Sequence, residues 1–440
     1  MKQMHIRWLV ASMLSFTMLL LVQCTPAAPA APQEGEVTAP QETITLRVWD
    51  QFGGESPSAA IDLIYANFME QHPNIVVERE IVPTDQADET SRTALSSGVG
   101  PDLVYMDITP ARSLIDAGLL ASLDDYFALY NWDERFTEDG LSWTTYNGKV
   151  WGLGAESEFV GLWYNKTLFE REGLEVPQTI SEALQFCAEA SERGYVPIAP
   201  WMERYGAVFM FMTSPIHNYV GTDYIEGLLF RGEGRWDSPE MIEAIKVIYE
   251  DMRNAGCFIE DAPAVTHDAA VDLFVSEQAF FLPVGSWAAD QMTEFSESAD
   301  VEIEMMPFFD METGQPRVFT MGMGSAWFLS ANSNHPDEAA MLLDYFFSDE
   351  SVRILAEQAR VLPPVTTDMS GFDVSSIVAW VAVQLATQDM GYNVDVLAPE
   401  AWNLANFDGA PAIWLGRKTV EEHMAELQSI WEEFYWADSQ

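Results

Sequence analysis

The chain has 440 residues, 48% of them apolar and 12% aromatic, which is enough for substantial cores and excludes a largely disordered protein. Its 21 basic residues stand against 69 acidic ones, for a net charge of −48. That balance excludes nucleic acid and anionic lipid headgroups as partners, disfavours phosphate-bearing solutes, and would enrich cationic solutes near the surface.

In chain order, Lys2 and Arg7 precede an apolar run from Trp8 to Val22, the pattern of a secretion signal. A membrane span needs about 20 apolar residues, more than this run supplies. After Cys24 comes an Ala- and Pro-rich stretch with Pro26, Pro29, Pro32 and Pro40, which reads as a semi-extended spacer. From Thr43 the pattern becomes regular. Ile44, Leu46 and Val48 predict a strand that ends near Asp50. Ser56-Pro57 opens a helix whose apolar face is Ala60, Ile61, Ile64, Tyr65 and Phe68, and His72-Pro73 stops it. A strand at Ile75-Val76-Val77 follows, then a polar helix over 85–97 closed by Gly98, then a strand over 102–106. This β-α-β-α-β order predicts a parallel sheet with crossover helices, about two domains, and ligands beyond the carboxyl ends of the strands. Trp49, Asp50, Gln51 and Asp107 occupy such positions; for Trp49 a core place is the other reading.

Asn147-Gly148 predicts a hairpin turn, and a second hairpin is expected over 310–315, between Met305-Met306-Pro307-Phe308-Phe309 and Arg317-Val318-Phe319. Cys187 falls in a helical stretch over 181–193, and Cys257 follows one over 239–254. An exported chain permits a bond between them, and two separate buried thiols are the alternative. Thr419-Val420-Glu421-Glu422 is a capping-box pattern that opens a terminal helix with Met424, Leu427, Ile430, Trp431, Phe434 and Tyr435 on one face.

Leu21-Val22-Gln23-Cys24 resembles a bacterial lipoprotein cleavage site, in which the cysteine is lipidated. Gln23 departs from the Gly, Ala or Ser usual there, and an ordinary cleaved signal is the alternative. Further segments occur in a telling order: Gly100-Pro101-Asp102 and Gly118-Leu119-Leu120; Asn147-Gly148-Lys149 and Trp151-Gly152; Leu162-Trp163-Tyr164-Asn165-Lys166; Gly285-Ser286-Trp287-Ala288; Gly322-Met323-Gly324-Ser325-Ala326; and His335-Pro336-Asp337-Glu338-Ala339. Together they resemble the extracellular solute-binding proteins, family 1, of ATP-driven (ABC) sugar importers. The resemblance implies an α/β, two-lobed periplasmic-binding-protein-like fold of type II, with a ligand cleft between lobes joined by a hinge. It implies a signal peptide over 1–23, an anchor and spacer over 24–42, a first lobe over 43–154 plus 283–330, and a second over 155–282 plus 331–440. Hinge crossings are expected near 155–159 and 316–325. The partners implied are a carbohydrate, the permease subunits, and the membrane through a lipid anchor at Cys24 only, with the protein extracytoplasmic and monomeric.

A sugar presents apolar C–H faces and a ring of hydroxyls, so its site needs flat aromatics and planar polar groups. Trp287 is the expected stacking platform, because Gly-Ser-Trp resembles the family's stacking position. Trp201, in a segment resembling the one that faces the cleft, and Trp402 are further candidates; a core role is the alternative for each. Glu156 and Glu158 lie on the first crossing, two apart, so an extended stretch points both to one side. Asp50, Gln51, Asp107, Glu203, Gly322 and Met323 complete the expected ligand-binding set. Maltose-specific members carry a stacking tryptophan where this chain has Met106-Asp107, so their ligand is not implied. No cofactor, metal site or catalytic residue is expected: Gly-x-Ser-x-Gly and His-Glu-x-x-His are absent, and Gly416-Arg417-Lys418-Thr419 lacks the pattern of a phosphate-binding loop. The alternatives are an exported glycan hydrolase, which also needs paired carboxylates, and the same fold binding a cationic solute such as a polyamine.

Overall fold

The computed structural model describes residues 43–438, which form one compact unit. Cys24, the signal and the spacer lie outside the described residues. Strand β1 (Ile44–Asp50), helix α1 (Glu55–Gln71), strand β2 (Ile75–Ile81), helix α2 (Thr84–Ser97) and strand β3 (Leu103–Asp107) follow the predicted order. β1 pairs in parallel with both β2 and β3. Gly98 ends α2 in the left-handed region (φ 72°), where a side chain would be strained. Ser325–Ser330 then joins β3 antiparallel, with Leu120–Ala121 and Gly152–Gly154 on its other side.

Burial on both faces of this first sheet follows the two-residue period of a strand. Trp327 and Leu329 enter the core under α1 and the helix Pro336–Phe346, while Ala326 and Phe328 face the opposite core with Val104 and Met106. The second sheet runs in the order Val196–Ile198, Ala279–Leu282, Leu162–Asn165, Ile303–Met306. It too has cores on both faces, the larger closed by the terminal helix Val420–Asp438 through Met424, Leu427 and Trp431. That helix carries the expected capping box: Glu422 N donates to Thr419 Oγ1 at 3.1 Å and Thr419 N to Glu422 Oε2 at 2.9 Å. Cys187 and Cys257 are joined as a disulfide inside the larger core, which settles the pairing the spacing left open.

Asn147 and Gly148 turn between Thr145–Tyr146 and Lys149–Val150 as expected, both at positive φ. The second expected hairpin does not form. Ile303–Met306 pairs instead with Leu162–Asn165, and the Arg317 guanidinium holds the returning chain by donating to the carbonyls of Phe308 and Pro307 at 3.0 Å. The expectation that 283–330 returns as one piece to the first lobe fails on the same pairing. Only Ser325–Ser330 lies in the first sheet, whereas Ile303–Met306 lies in the second, where Met305 and Phe295 fill a core. Residues 339–361, expected in the second lobe, instead pack on the first sheet. Apolar pattern alone marks these segments as buried; it does not say against which sheet.

Candidate functional site

The chain leaves the first sheet after Gly154, enters the second at Leu162, and returns between Met306 and Ser325. The two crossings run side by side, with Phe159–Val160 paired to Thr320–Met321, which also pairs with Gly391–Tyr392. Carboxylates collect here. The Glu158 Oε1 accepts from Gly324 N at 2.7 Å. A Cβ at position 324 would stand 2.7 Å from that oxygen, so only glycine lets the carboxylate lie along the strand. The next residue, Ser325, donates its hydroxyl to Asp107 Oδ1 at 2.7 Å. Thr109, two residues past Asp107, donates to the Asp395 carbonyl at 2.9 Å and so ties the C-terminal segment to the same place. Glu156 is 9% exposed and has no hydrogen-bond partner among the described residues, and neither does the buried Oδ1 of Asp395.

Burial dominates the electrostatics, because a charged carboxylate is costly away from water. It pushes Glu156 up to about 8. It raises Glu158 well above the usual carboxylate range, helped by the charge of Glu156 and, less, by Asp107 and Asp395. Asp395 rises to about 7 by burial and then by the Asp107 charge. Asp107 is raised by burial, with Ser325, Tyr205 and Arg204 opposing.

Asp88, on α2, faces the segment after Trp201. Arg204 Nη2 bonds Asp88 Oδ2 at 2.9 Å, and the Tyr205 hydroxyl donates to the same oxygen at 3.5 Å. Burial and the Asp107 charge raise Asp88 to about 7 against the pull of Arg204. Arg204 sits at φ 46° and ψ −114°, a backbone position that costs of order 1–3 kcal/mol for a non-glycine residue and clusters at functional sites. Beyond it the aromatics converge. Tyr205 and Phe209 stack with centroids 6.3 Å apart; Phe209 also meets Trp287 at 5.6 Å and Trp201 at 5.8 Å. Gly206 lets the Trp201 ring lie against its backbone, since a Cβ there would meet the ring at 2.5 Å. Trp287 is half-buried and the only one of Trp201, Phe209 and Trp287 with more than a tenth of its surface free. Contacts between elements of the two sheets extend outward from here, with Arg92 on α2 bonding Glu400 at 2.9 Å and Ser56 on α1 bonding Glu294 at 3.2 Å.

Of the residues expected from sequence, the structure brings together Asp107, Glu156, Glu158, Gly322 and Met323 at the crossings and Trp201 and Trp287 beside them. Gly322 N donates to the Glu158 carbonyl at 3.3 Å, and Met323 is buried against Gly154. Gln51 is half-buried with its amide nitrogen unpartnered. Glu203 is exposed, one residue before Arg204. Two expectations are corrected. The Asp50 carboxylate is taken up by Arg79, at 2.7 and 2.8 Å, and by Phe52 N, so it braces the first sheet. Trp402 has no exposed surface and packs on Trp236 at 4.8 Å inside the largest core. Trp49 is likewise core. Asp88, Arg204, Tyr205, Phe209 and Asp395 also gather here and were not among the expected residues. Tyr205 and Phe209, four apart and following Trp201, carried a helical-face signal; Asp88 and Asp395 carried none among so many acids.

Among the described residues no cluster of His, Cys, Asp and Glu has metal-binding geometry, and no helix is long and apolar enough to cross a membrane. The family described as bacterial extracellular solute-binding protein matches residues 53–353. A multiple sugar-binding protein of Streptococcus mutans is 23% identical over 345 residues, 75% of each chain. A solved structure from work on xylan utilization by Caldanaerobius polysaccharolyticus superposes with a TM-score of 0.77 at 21% identity, over 88% of this chain and 99% of that one. A maltodextrin-binding domain from Bdellovibrio bacteriovorus, bound to maltotriose, gives 0.70 at 17% identity over 89% and 100%. The fold is thus the two-lobed α/β solute-binding fold.

Proposed function

The chain belongs to the bacterial extracellular solute-binding protein family, and from that premise we propose that it captures a carbohydrate between two closing lobes and delivers it to an ABC permease. The observation that carries the reading is an aromatic cluster, Trp201, Tyr205, Phe209 and Trp287, joined through the Tyr205 hydroxyl to Asp107, beside which Glu156 and Glu158 lie. Flat rings suit the C–H faces of a sugar, and carboxylates accept from its hydroxyls. Relatives named for sugar binding support the ligand class. In this reading the first lobe is 43–154 with 325–361, the second is 162–306 with the C-terminal helices, and the crossings between them are the hinge. Each lobe contributes part of the site, so the solute favours the closed form by touching both. The protein binds and does no chemistry, works outside the cytoplasmic membrane as a monomer, and is held there by a lipid on Cys24 after removal of residues 1–23.

A thermal-shift screen against mono- and oligosaccharides tests this. A solute at 100 times its dissociation constant adds about 2.7 kcal/mol of stability. A stabilising saccharide recovered unchanged is the expected result; its cleavage would make the protein a hydrolase.

A further inference from the structure

Resting on the sugar-capture reading above, we propose that the carbohydrate bound here carries a protonated amine, received by the carboxylates of Asp107, Glu156, Glu158 and Asp395. The geometry is a convergence. Glu158 and Asp107 are held by consecutive residues, Gly324 and Ser325, and Asp395 is tied to Thr109, two residues past Asp107. Two independent facts point to a missing partner. Glu156 is more than nine-tenths buried with no hydrogen-bond partner, and the buried Asp395 Oδ1 has none either, among the described residues. Buried polar groups are normally paired, and unpaired ones are costly.

The groups facing this cluster are Asp88, Arg204, Tyr205 and Tyr105. Arg204 is the cation among them, and it is bonded to Asp88. No cation among the described residues acts on Glu156 or Asp395. A neutral sugar would satisfy individual oxygens through its hydroxyls but would supply no counter-charge, so ionising these acids would still set like charges against one another out of water. An ammonium group offsets that repulsion and donates up to three hydrogen bonds. The raised pKa values of Glu156 and Asp395 record the same lack of a counter-charge. Nearby, the half-buried rings of Tyr205 and Trp287, both packed on Phe209, offer the sugar ring a surface.

The test is calorimetric titration of the protein with three β-1,4-linked disaccharides that differ at one position: glucosamine dimer, its N-acetylated form, and cellobiose. Spermidine serves as a non-sugar amine. The glucosamine dimer is expected to bind at least about tenfold tighter than cellobiose near pH 7. Its advantage should shrink toward pH 5, because acids raised to about 7 and 8 must release protons to receive the amine, and release them less readily as the pH falls. Glu156→Gln and Asp395→Asn, near-isosteric changes checked by melting temperature, should remove the preference for the amine, so that each variant binds the glucosamine dimer no more tightly than it binds cellobiose. Equal or tighter binding of cellobiose overturns the amine assignment and leaves sugar capture standing. Binding of spermidine with no saccharide bound overturns both.

Discussion

On the first-sheet side of the proposed cleft the groups proposed to bind are carboxylates at strand ends and crossings, Asp107, Glu156 and Glu158; on the second-sheet side they are rings, Trp201, Tyr205, Phe209 and Trp287. Two of the acids are fixed by neighbouring residues at the start of the strand Ser325–Ser330, Glu158 by Gly324 N and Asp107 by the Ser325 hydroxyl. The rings are fixed by one another, each packed on the next. A solute that needs both kinds of contact gains them together only when the two sides approach, so binding and closure become one event. Asp88 and Arg204 bridge the two sides with an ion pair at 2.9 Å.

The comparison breaks most visibly at the tryptophans. Trp402→Ala should cost about 3–5 kcal/mol of stability, as expected for a large aromatic truncated in a core, yet leave the affinity of the remaining folded protein unchanged. Trp287→Ala should do the reverse. We expect sugar affinity to fall about thirtyfold, near 2 kcal/mol, with little change in unfolding by denaturant. Equal affinity in the folded Trp287 variant would take the aromatic side out of the site.

That contrast also marks what the sequence made legible. The strands and helices from Ile44 to Asp107, the Asn147-Gly148 turn and the terminal helix could be read, because period, caps and turn residues are local signals. Glu156 and Glu158 were expected on one side of the first crossing because alternate residues of an extended stretch point the same way. Trp402 and Trp287 could not be told apart, since both are tryptophans near apolar residues and only tertiary packing decides which keeps a free face. Asp50 misled for a related reason. Its position at a strand end was right, but the Arg79 guanidinium on the neighbouring strand claims it, and cross-strand pairing is invisible in spacing. The lobe boundary in 283–330 failed because an apolar strand can join either sheet.

Smaller effects sharpen the account of the carboxylate side. Arg204→Ala removes the bridge to Asp88; because Arg204 is partly exposed, the loss of affinity should be modest, about three- to fivefold, with a wider spread of conformations in scattering. pH gives the smallest and most specific test. Glu156 is raised from 4.5 to about 8 by burial, so its contribution to stability is fully present below 4.5 and is lost as pH rises through 8. Asp395, raised from 3.8 to about 7, acts in the same direction. The ligand-free protein should therefore lose stability across that window in denaturant titrations, and Glu156→Gln should flatten the slope. A stability that climbs with pH across the window would contradict the unpartnered burial of Glu156.

The most direct measurement of capture by closure is small-angle scattering from the protein with and without the saccharide that stabilises it. The account predicts a smaller radius of gyration at saturation, and no such contraction in Trp287→Ala at the same sugar concentration. A saturated protein with an unchanged radius of gyration would contradict closure and leave a rigid binding surface in its place.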